Sequence, residues 1–464
     1  MNFSSLSYIF LFLPITAIIY YFAQYLAKKV DGNKLRSGML SIFSAVFYIQ
    51  SGFVSYIVLF IMVLVVYGCG YLIRKNIEIG VHNKKLLIGS VALFLIVLCL
   101  MKYCQSFTGI RSILGISFIT FSALSYIVDI YRGDAETGSL LDCLLYLTFF
   151  PKVISGPIVR WKEFKTQGLA KEIDTYCLVA GINRIVVGLT KKVILADSFG
   201  ACIMRIQEQS AVDRPTAWLF WLLYALEIYY DFSGYSDMAI GSAKIFGLDL
   251  SENFNFPYRS LSITEFWRRW HISLGSFFKD YVYIPLGGNR KGSRRTLINL
   301  AIVFLLTGIW HGAGWAYLLW GSIHGACMLI ERIVFDKRWY KKIPSVVKWT
   351  VTFAISSTAW LLFKFEKIGL TLSWLKKMLI ESDSGEFIVY RWQFFCDTRM
   401  ISLIVIALIG ALGLGEDLVL KTYNKYSNKY GWYVLREIIV IFLFFLSITF
   451  LVNSTFSPFI YFQF

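Results

Sequence analysis

Long charge-free apolar runs recur along this sequence, and they constrain its fold more than any other feature. Residues 53–73 carry no charged side chain, and neither do residues 86–101. A bilayer core about 30 Å thick is crossed by about 20 apolar residues in a helix, but by only about 9–11 in a barrel strand. Runs of this length therefore read as helices, whose backbone groups are satisfied within the segment. Spans are expected near 6–27, 37–51, 53–73, 86–103, 113–131, 176–200, 215–247, 296–311, 314–335, 346–365, 400–415 and 434–452. Composition agrees: 57% of the residues are hydrophobic and 16% charged, against about 45–50% and 25% in soluble domains. The expected fold class is all-α, a polytopic membrane protein. No linker breaks the series, so a single membrane-embedded domain is expected over residues 1–464.

The formal net charge of +17 does not point to nucleic acid, because the cations sit in short loops between apolar spans. The loop 28–36 holds Lys28, Lys29, Lys34 and Arg36 against Asp31, and the loop 74–85 holds Arg74, Lys75, Lys84 and Lys85 against Glu78. Two further loops carry Arg290, Lys291, Arg294 and Arg295, and Lys337, Arg338, Lys341, Lys342 and Lys348 against Asp336. All four fall on one side if the spans alternate, which makes that side cytoplasmic by the positive-inside rule. The loop 366–399 then lies outside, with its acids, Glu381, Asp383 and Glu386 among them, balancing its bases. The N-terminal stretch lacks a basic leader and reads as a first span rather than a cleaved signal. The eight scattered cysteines read as small apolar core residues. No metal-ligand spacing, P-loop or dinucleotide fingerprint occurs.

Two regions do not read as clean spans. Residues 140–172 are apolar but broken by Pro151, Gly156 and Pro157, as in a re-entrant segment. Residues 250–290 are polar and aromatic, which suggests amphipathic helices.

Polar groups at membrane depth are costly and mark candidate sites. The first cluster runs from Glu227 through Asp231, Ser233 and Tyr235 to Asp237. Glu227 and Asp231 share a helical face, lining a wet cavity or forming a network between helices. The second is Phe254-Asn-Phe-Pro-Tyr258 followed by the stretch from Thr264 to Leu274. As one helix, capped by Thr264, it would put Trp267, Trp270, His271 and Leu274 on one face with Arg268 turned aside. Such a surface suits a phosphate and a flat ring, or alternatively an interfacial aromatic belt with snorkelling arginines. The third is Trp310-His311-Gly312-Ala313-Gly314. His311 ends an apolar helix about 24 Å beyond the basic loop, at about 1.5 Å per residue. A neutral imidazole there is a competent general base, or else a satisfied core donor. Of four histidines, His271, His311 and His324 flank polar, aromatic, glycine-rich segments.

The order of these motifs resembles the membrane-bound O-acyltransferases, in particular the bacterial alginate O-acetylation type. The resemblance rests on Tyr229-Tyr-Asp231-Phe-Ser-Gly-Tyr-Ser-Asp237, on Glu265-Phe-Trp-Arg-Arg-Trp-His271, and on Asp280 through Gly292. It rests also on Gly308-Ile-Trp-His311-Gly, Trp320-Gly-Ser-Ile-His324-Gly, Phe150 through Arg160, and the closing stretch 458–464. It implies a ring of tilted helices around a central funnel, with His311 as principal catalytic histidine and His271 at the second catalytic position. It implies an acyl thioester donor, acetyl-CoA foremost, entering from the cytoplasm, with no bound cofactor or metal. Arg268, Arg269, Lys279, Trp267 and Trp270 are the expected donor-binding residues. Glu227, Asp231, Ser233, Tyr235, Asp237 and His324 are the expected polar lining of the tunnel. The acceptor would be an extracytoplasmic polysaccharide, reached through an SGNH-type partner, and the setting the bacterial cytoplasmic membrane. One departure stands out: Ser276-Phe277-Phe278-Lys279 occupies the place of a Trp-containing stretch. The alternatives are a D-alanyl transferase of the teichoic-acid type and a polysaccharide or lipid transporter.

Overall fold

The structure is a computed structural model. It describes residues 2–27, 32–103, 113–168, 174–380, 390–416, 421–422, 425, 430–453 and 459. Lys28, Lys29, Asp31, Glu381, Asp383, Glu386 and all of the closing stretch 458–464 except Phe459 lie outside the described residues.

The chain is all-α. Among the described residues no strand occurs, and one isolated bridge joins Phe254 to Trp270. Among the described residues six helices are long and apolar enough to cross a membrane: Tyr8–Tyr25, Phe53–Glu78, Lys84–Tyr103, Gly292–His311, Ser345–Phe365 and Tyr430–Asn453. The other expected spans are also helical, without meeting that combined length and apolarity. On Phe53–Glu78, Leu59, Met62, Val63, Val66 and Ile73 are buried while Phe53, Val54, Ile57, Ile61 and Leu64 are exposed. A water-facing monomer does not carry apolar surface on this scale, but a lipid-facing one does. The protein is a multi-pass membrane protein. The cysteine expectation holds only in part: Cys143 and Cys202 are buried, and Cys99 is exposed.

Contacts divide the chain into two compact units. Among the described residues the first comprises those within 2–188 and 235–252. It includes α1 (Leu13–Ala27), α2 (Gly32–Ile49), α3 (Phe53–Glu78), α4 (Lys84–Tyr103) and α5 (Ile116–Arg132). The interrupted region expected over 140–172 follows as α6 (Leu140–Thr148), α7 (Phe150–Val153) and α8 (Trp161–Gln167). Ser139 and Asp142 close a capping box at the start of α6. Tyr146, Phe149, Phe150 and Trp161 are at most 1% exposed, so protein covers the irregular backbone here. Most of α9 (Thr175–Thr190) belongs to this unit.

Among the described residues the second unit comprises those within 189–234 and 253–459. It opens with a π-helical turn, Lys191–Ala196, which runs into α10 (Asp197–Gln207). The long α11 (Arg214–Ile245) gives its residues up to Gly234 to this unit. Then come α12 (Ile263–Arg269), α13 (Ile272–Phe278), α14 (Gly292–His311), α15 (Trp315–Val334), α16 (Ser345–Phe365) and α17 (Ile368–Leu379). The last long helices are α18 (Thr398–Leu412) and α19 (Tyr430–Asn453).

The α14–α15 hairpin positions the site, and glycine makes it possible. A Cβ on Gly321 would lie 2.5 Å from the carbonyl oxygen of Phe304 and 3.3 Å from the Cα of Gly308. A Cβ on Gly308 would lie 2.6 Å from the carbonyl oxygen of Tyr317. Small residues let membrane helices meet backbone to backbone, where van der Waals contact replaces a hydrophobic drive.

Candidate active site

His311 is the last residue of α14 and is 3% exposed. Its ring packs against Trp310 at 4.5 Å, Phe363 of α16 at 4.8 Å and Trp320 of α15 at 5.1 Å between centroids. Trp320 is shared: its other neighbour on α15 is His324, also at 5.1 Å. The hairpin thus brings His311 and His324 to one indole, from expected roles that sequence had set apart.

His271 sits in a different local structure from the one expected. The segment does not form one helix. It breaks into α12 and α13, with Trp270 extended and His271 left-handed at φ 44. The cause lies in the partner strand-like segment, where Trp270 bridges Phe254 and the amide of Asn255 donates to the carbonyl of Arg269 at 3.0 Å. Trp267 and Trp270 therefore do not share one helical face with His271. The cap also differs: Ser262 accepts from the Glu265 amide, while Thr264 is bound by Glu331 of α15. The Glu331 carboxylate accepts from the amides of Ile263 at 2.6 Å and Thr264 at 2.8 Å. Local pattern could not show it, since Glu331 lies 67 residues beyond Thr264.

Nδ1 of His271 lies 3.3 Å from Oδ1 of Asn253, which also accepts from the Ser273 hydroxyl at 2.6 Å. An amide oxygen only accepts, so this contact puts the ring proton on Nδ1 and the lone pair on Nε2. Burial pushes the imidazole pKa down to about 3, which keeps the ring neutral. A ladder of rings leads from this segment to His311. Trp270 meets Trp360 at 4.7 Å, Trp360 meets Trp320 at 5.8 Å, and Trp320 meets His311.

A cavity of about 520 Å³ opens beside this cluster, a size suited to a small-molecule ligand. Trp267, Arg268 and Lys279, three of the residues expected to bind the donor, line it, and Arg332 of α15 joins them unforeseen. Those three cations face it, and none of its lining residues is a carboxylate. Thr307, one turn before His311 on α14, forms part of its wall. Trp267 connects the cavity to the histidines, with its ring 5.5 Å from Trp320 and 5.2 Å from His324. Ser276, Phe278 and Lys279 of the departing stretch line the same wall. Two expected members are elsewhere. Arg269 pairs with Glu265 at 2.9 Å, and Trp270 is packed at 1% exposure against Phe266 and Trp360.

The expected tunnel residues separate. Tyr235 and Asp237 belong to the first unit, where Asp237 pairs with Arg184 at 2.6 Å and Tyr235 stacks on Phe3 at 4.9 Å. Glu227, Asp231 and Ser233 belong to the second. Asp231 does not stand open beside Glu227. Lys192 of the π-helical turn binds it at 2.7 Å and binds Asp197 at 2.7 Å. Glu227 lies against Gly200, where a Cβ would come within 2.5 Å of its Oε1. Lys192 was hidden inside an apolar span, and the only signal was a lysine pair between residues 176 and 200.

The sequence was compared with known proteins. Residues 43–365, which contain every residue discussed above from Lys192 to Phe363, match the MBOAT, membrane-bound O-acyltransferase family. A Pseudomonas aeruginosa protein named "Probable alginate O-acetylase AlgI" is 38% identical over 392 residues, covering 79% of this chain and 73% of the relative. The protein of that name from Pseudomonas putida is 35% identical over the full length of both chains. A Helicobacter pylori "Peptidoglycan O-acetyltransferase" is 34% identical, covering 57% of this chain and 56% of the relative.

Proposed function

Because this chain belongs to the membrane-bound O-acyltransferase family and is an O-acyltransferase, we propose that it moves an acetyl group from a cytoplasmic thioester to an extracytoplasmic polysaccharide hydroxyl. The setting is the bacterial cytoplasmic membrane, and the donor is acetyl-CoA. The observation that carries this reading is that His311 follows Thr307 by one helical turn, and Thr307 lines a largely apolar cavity whose charged lining residues, Arg268, Lys279 and Arg332, are all cations.

Arg268, Lys279 and Arg332 suit the phosphates of a thioester carrier, since guanidinium binds phosphate through paired N–H groups. Trp267 offers a flat face beside them. The acceptor hydroxyl attacks the thioester carbonyl carbon as its proton passes to the His311 imidazole. A C–O bond forms and the C–S bond breaks. The leaving thiolate then takes the proton back from His311. His271, held neutral by burial and oriented by Asn253, orients the acceptor hydroxyl. The polymer is reached through an SGNH-type partner on the far side.

Proteoliposomes supplied with labelled acetyl-CoA or with a D-alanyl-loaded carrier protein test the reading. Transfer of label from acetyl-CoA to added polysaccharide or partner, lost in His311→Ala, is expected. Transfer from the loaded carrier alone would make this a D-alanyl transferase. Passage of polysaccharide without covalent change would make it a transporter.

A further inference from the structure

His324 takes no part in the reaction as derived above, yet its surroundings are unusual for a packing residue. It is 0% exposed, and neither Nδ1 nor Nε2 has a hydrogen-bond partner among the described residues. Trp320 at 5.1 Å, Trp267 at 5.2 Å and Phe266 at 6.3 Å enclose its ring, with Trp360 at 6.4 Å. The indole N–H groups of Trp267, Trp320 and Trp360 also lack partners among the described residues. A buried polar group left unmade costs about 1–3 kcal/mol. Phenylalanine at position 324 would fill the space without that cost.

The chemistry of this set is one-sided. Indole nitrogen only donates, and a neutral imidazole always retains one N–H. Such a set favours a guest that accepts. Trp267 lies in the wall of the cavity that Arg268, Lys279 and Arg332 line, and Trp320 touches His311. Trp267 therefore borders the place proposed for the thioester carrier, Trp320 touches the proposed base, and His324 packs against both indoles.

We propose that His324 is a further catalytic residue, whose N–H, with the indoles of Trp267 and Trp320, holds the thioester carbonyl oxygen and the oxyanion formed from it. This rests on the assignment of His311 as base. When the acceptor oxygen bonds to the carbonyl carbon, the carbonyl π pair moves onto this oxygen. When the C–S bond breaks, the pair returns. The donors stay protonated throughout, and their hydrogen bonds are strongest at the charged stage, which lowers the barrier.

The test uses the full chain in proteoliposomes at saturating donor. His324→Phe is expected to lower kcat about 10²–10³-fold, with donor KM changed less than about three-fold. Its unfolding midpoint in detergent should match or exceed the parent. His324→Gln, which restores an N–H, should recover about ten-fold or more of the loss. Trp320→Phe, which removes one indole N–H, should lower kcat by about ten-fold or more. A His324→Phe or Trp320→Phe enzyme with parental kcat overturns the proposal, as does Gln performing no better than Phe. If His311→Ala is inactive while His324→Phe is fully active, this proposal alone fails. If His311→Ala keeps the parental rate, the base assignment fails and takes this proposal with it.

Discussion

Lys192→Met removes a cation that binds the buried Asp231 and the partly buried Asp197. Its Nζ lies 2.7 Å from Oδ1 of both Asp197 and Asp231. The Lys192 and Asp231 side chains are 2% exposed and that of Asp197 is 13% exposed, so water screens none of the three well. Phe459 covers the ammonium at 4.7 Å from its centroid. Removing one member of a buried ion pair costs about 3–5 kcal/mol, because the other charge stays buried without compensation. Here two carboxylates lose the same partner and then repel each other, which places the cost toward the upper end, about 4–5 kcal/mol. At 1.4 kcal/mol per factor of ten, the folded-to-unfolded ratio falls about a thousand-fold. Denaturant unfolding of the purified protein in detergent, followed by tryptophan fluorescence, measures this. Replacing the whole set is a different perturbation. Lys192→Met combined with Asp197→Asn and Asp231→Asn leaves no buried charge among the three, and should return to within about 2 kcal/mol of the parent. A single Lys192→Met variant within about 1 kcal/mol of the parent would refute the reasoning, as would a triple variant no more stable than the single one.

Gly321→Leu should cost about 3 kcal/mol and most activity, because the α14–α15 crossing has no room for a Cβ, whereas Gly38→Leu, with nothing within 4 Å, should stay within about 0.5 kcal/mol. Both are read from unfolding midpoints, and equal effects would count against the packing argument. Arg268→Ala should raise donor KM about ten-fold while Arg269→Ala leaves it nearly unchanged, since only Arg268 lines the cavity; the reverse order would misplace the donor. Glu331→Ala should lower stability by about 1–2 kcal/mol through loss of the α12 cap, and Glu331→Gln by less. His271→Gln should lower kcat without altering the shape of the pH–rate profile between pH 5 and 8. Burial holds its pKa at about 3, so the ring is already neutral across that window and charges only as pH falls toward that value. A profile whose limb moves in this variant would show that His271 titrates in the working range.

The membrane class was legible in the sequence because charge-free runs such as 53–73 have one physical solution. So was the broken character of 140–172, since Pro151, Gly156 and Pro157 forbid a continuous helix. His311 at a helix end was also legible from residue type and local spacing, whereas the helical reading had turned Arg268 aside from Trp267, with which it lines one cavity. What was not legible depended on distant partners. The break between α12 and α13 comes from pairing with residues 254–255, and overrides a helical period that looked consistent over 264–274. The Ile263 and Thr264 amides at the start of α12 are bound by Glu331, and a partner of Asp231 is a lysine buried in a span of apolar residues. Local pattern cannot show either. Nor could it show that Asp237 turns to Arg184 while Asp231 turns to Lys192, although the two carboxylates stand six residues apart on one helix.

The central claim is that His311 takes the acceptor proton, and single-turnover acyl transfer by purified His311→Ala in proteoliposomes tests it most directly. The expected result is a rate lower by about 10²–10⁴-fold, with donor binding and the unfolding midpoint close to those of the parent. A folded His311→Ala enzyme that transfers acyl groups at the parental rate would contradict the account.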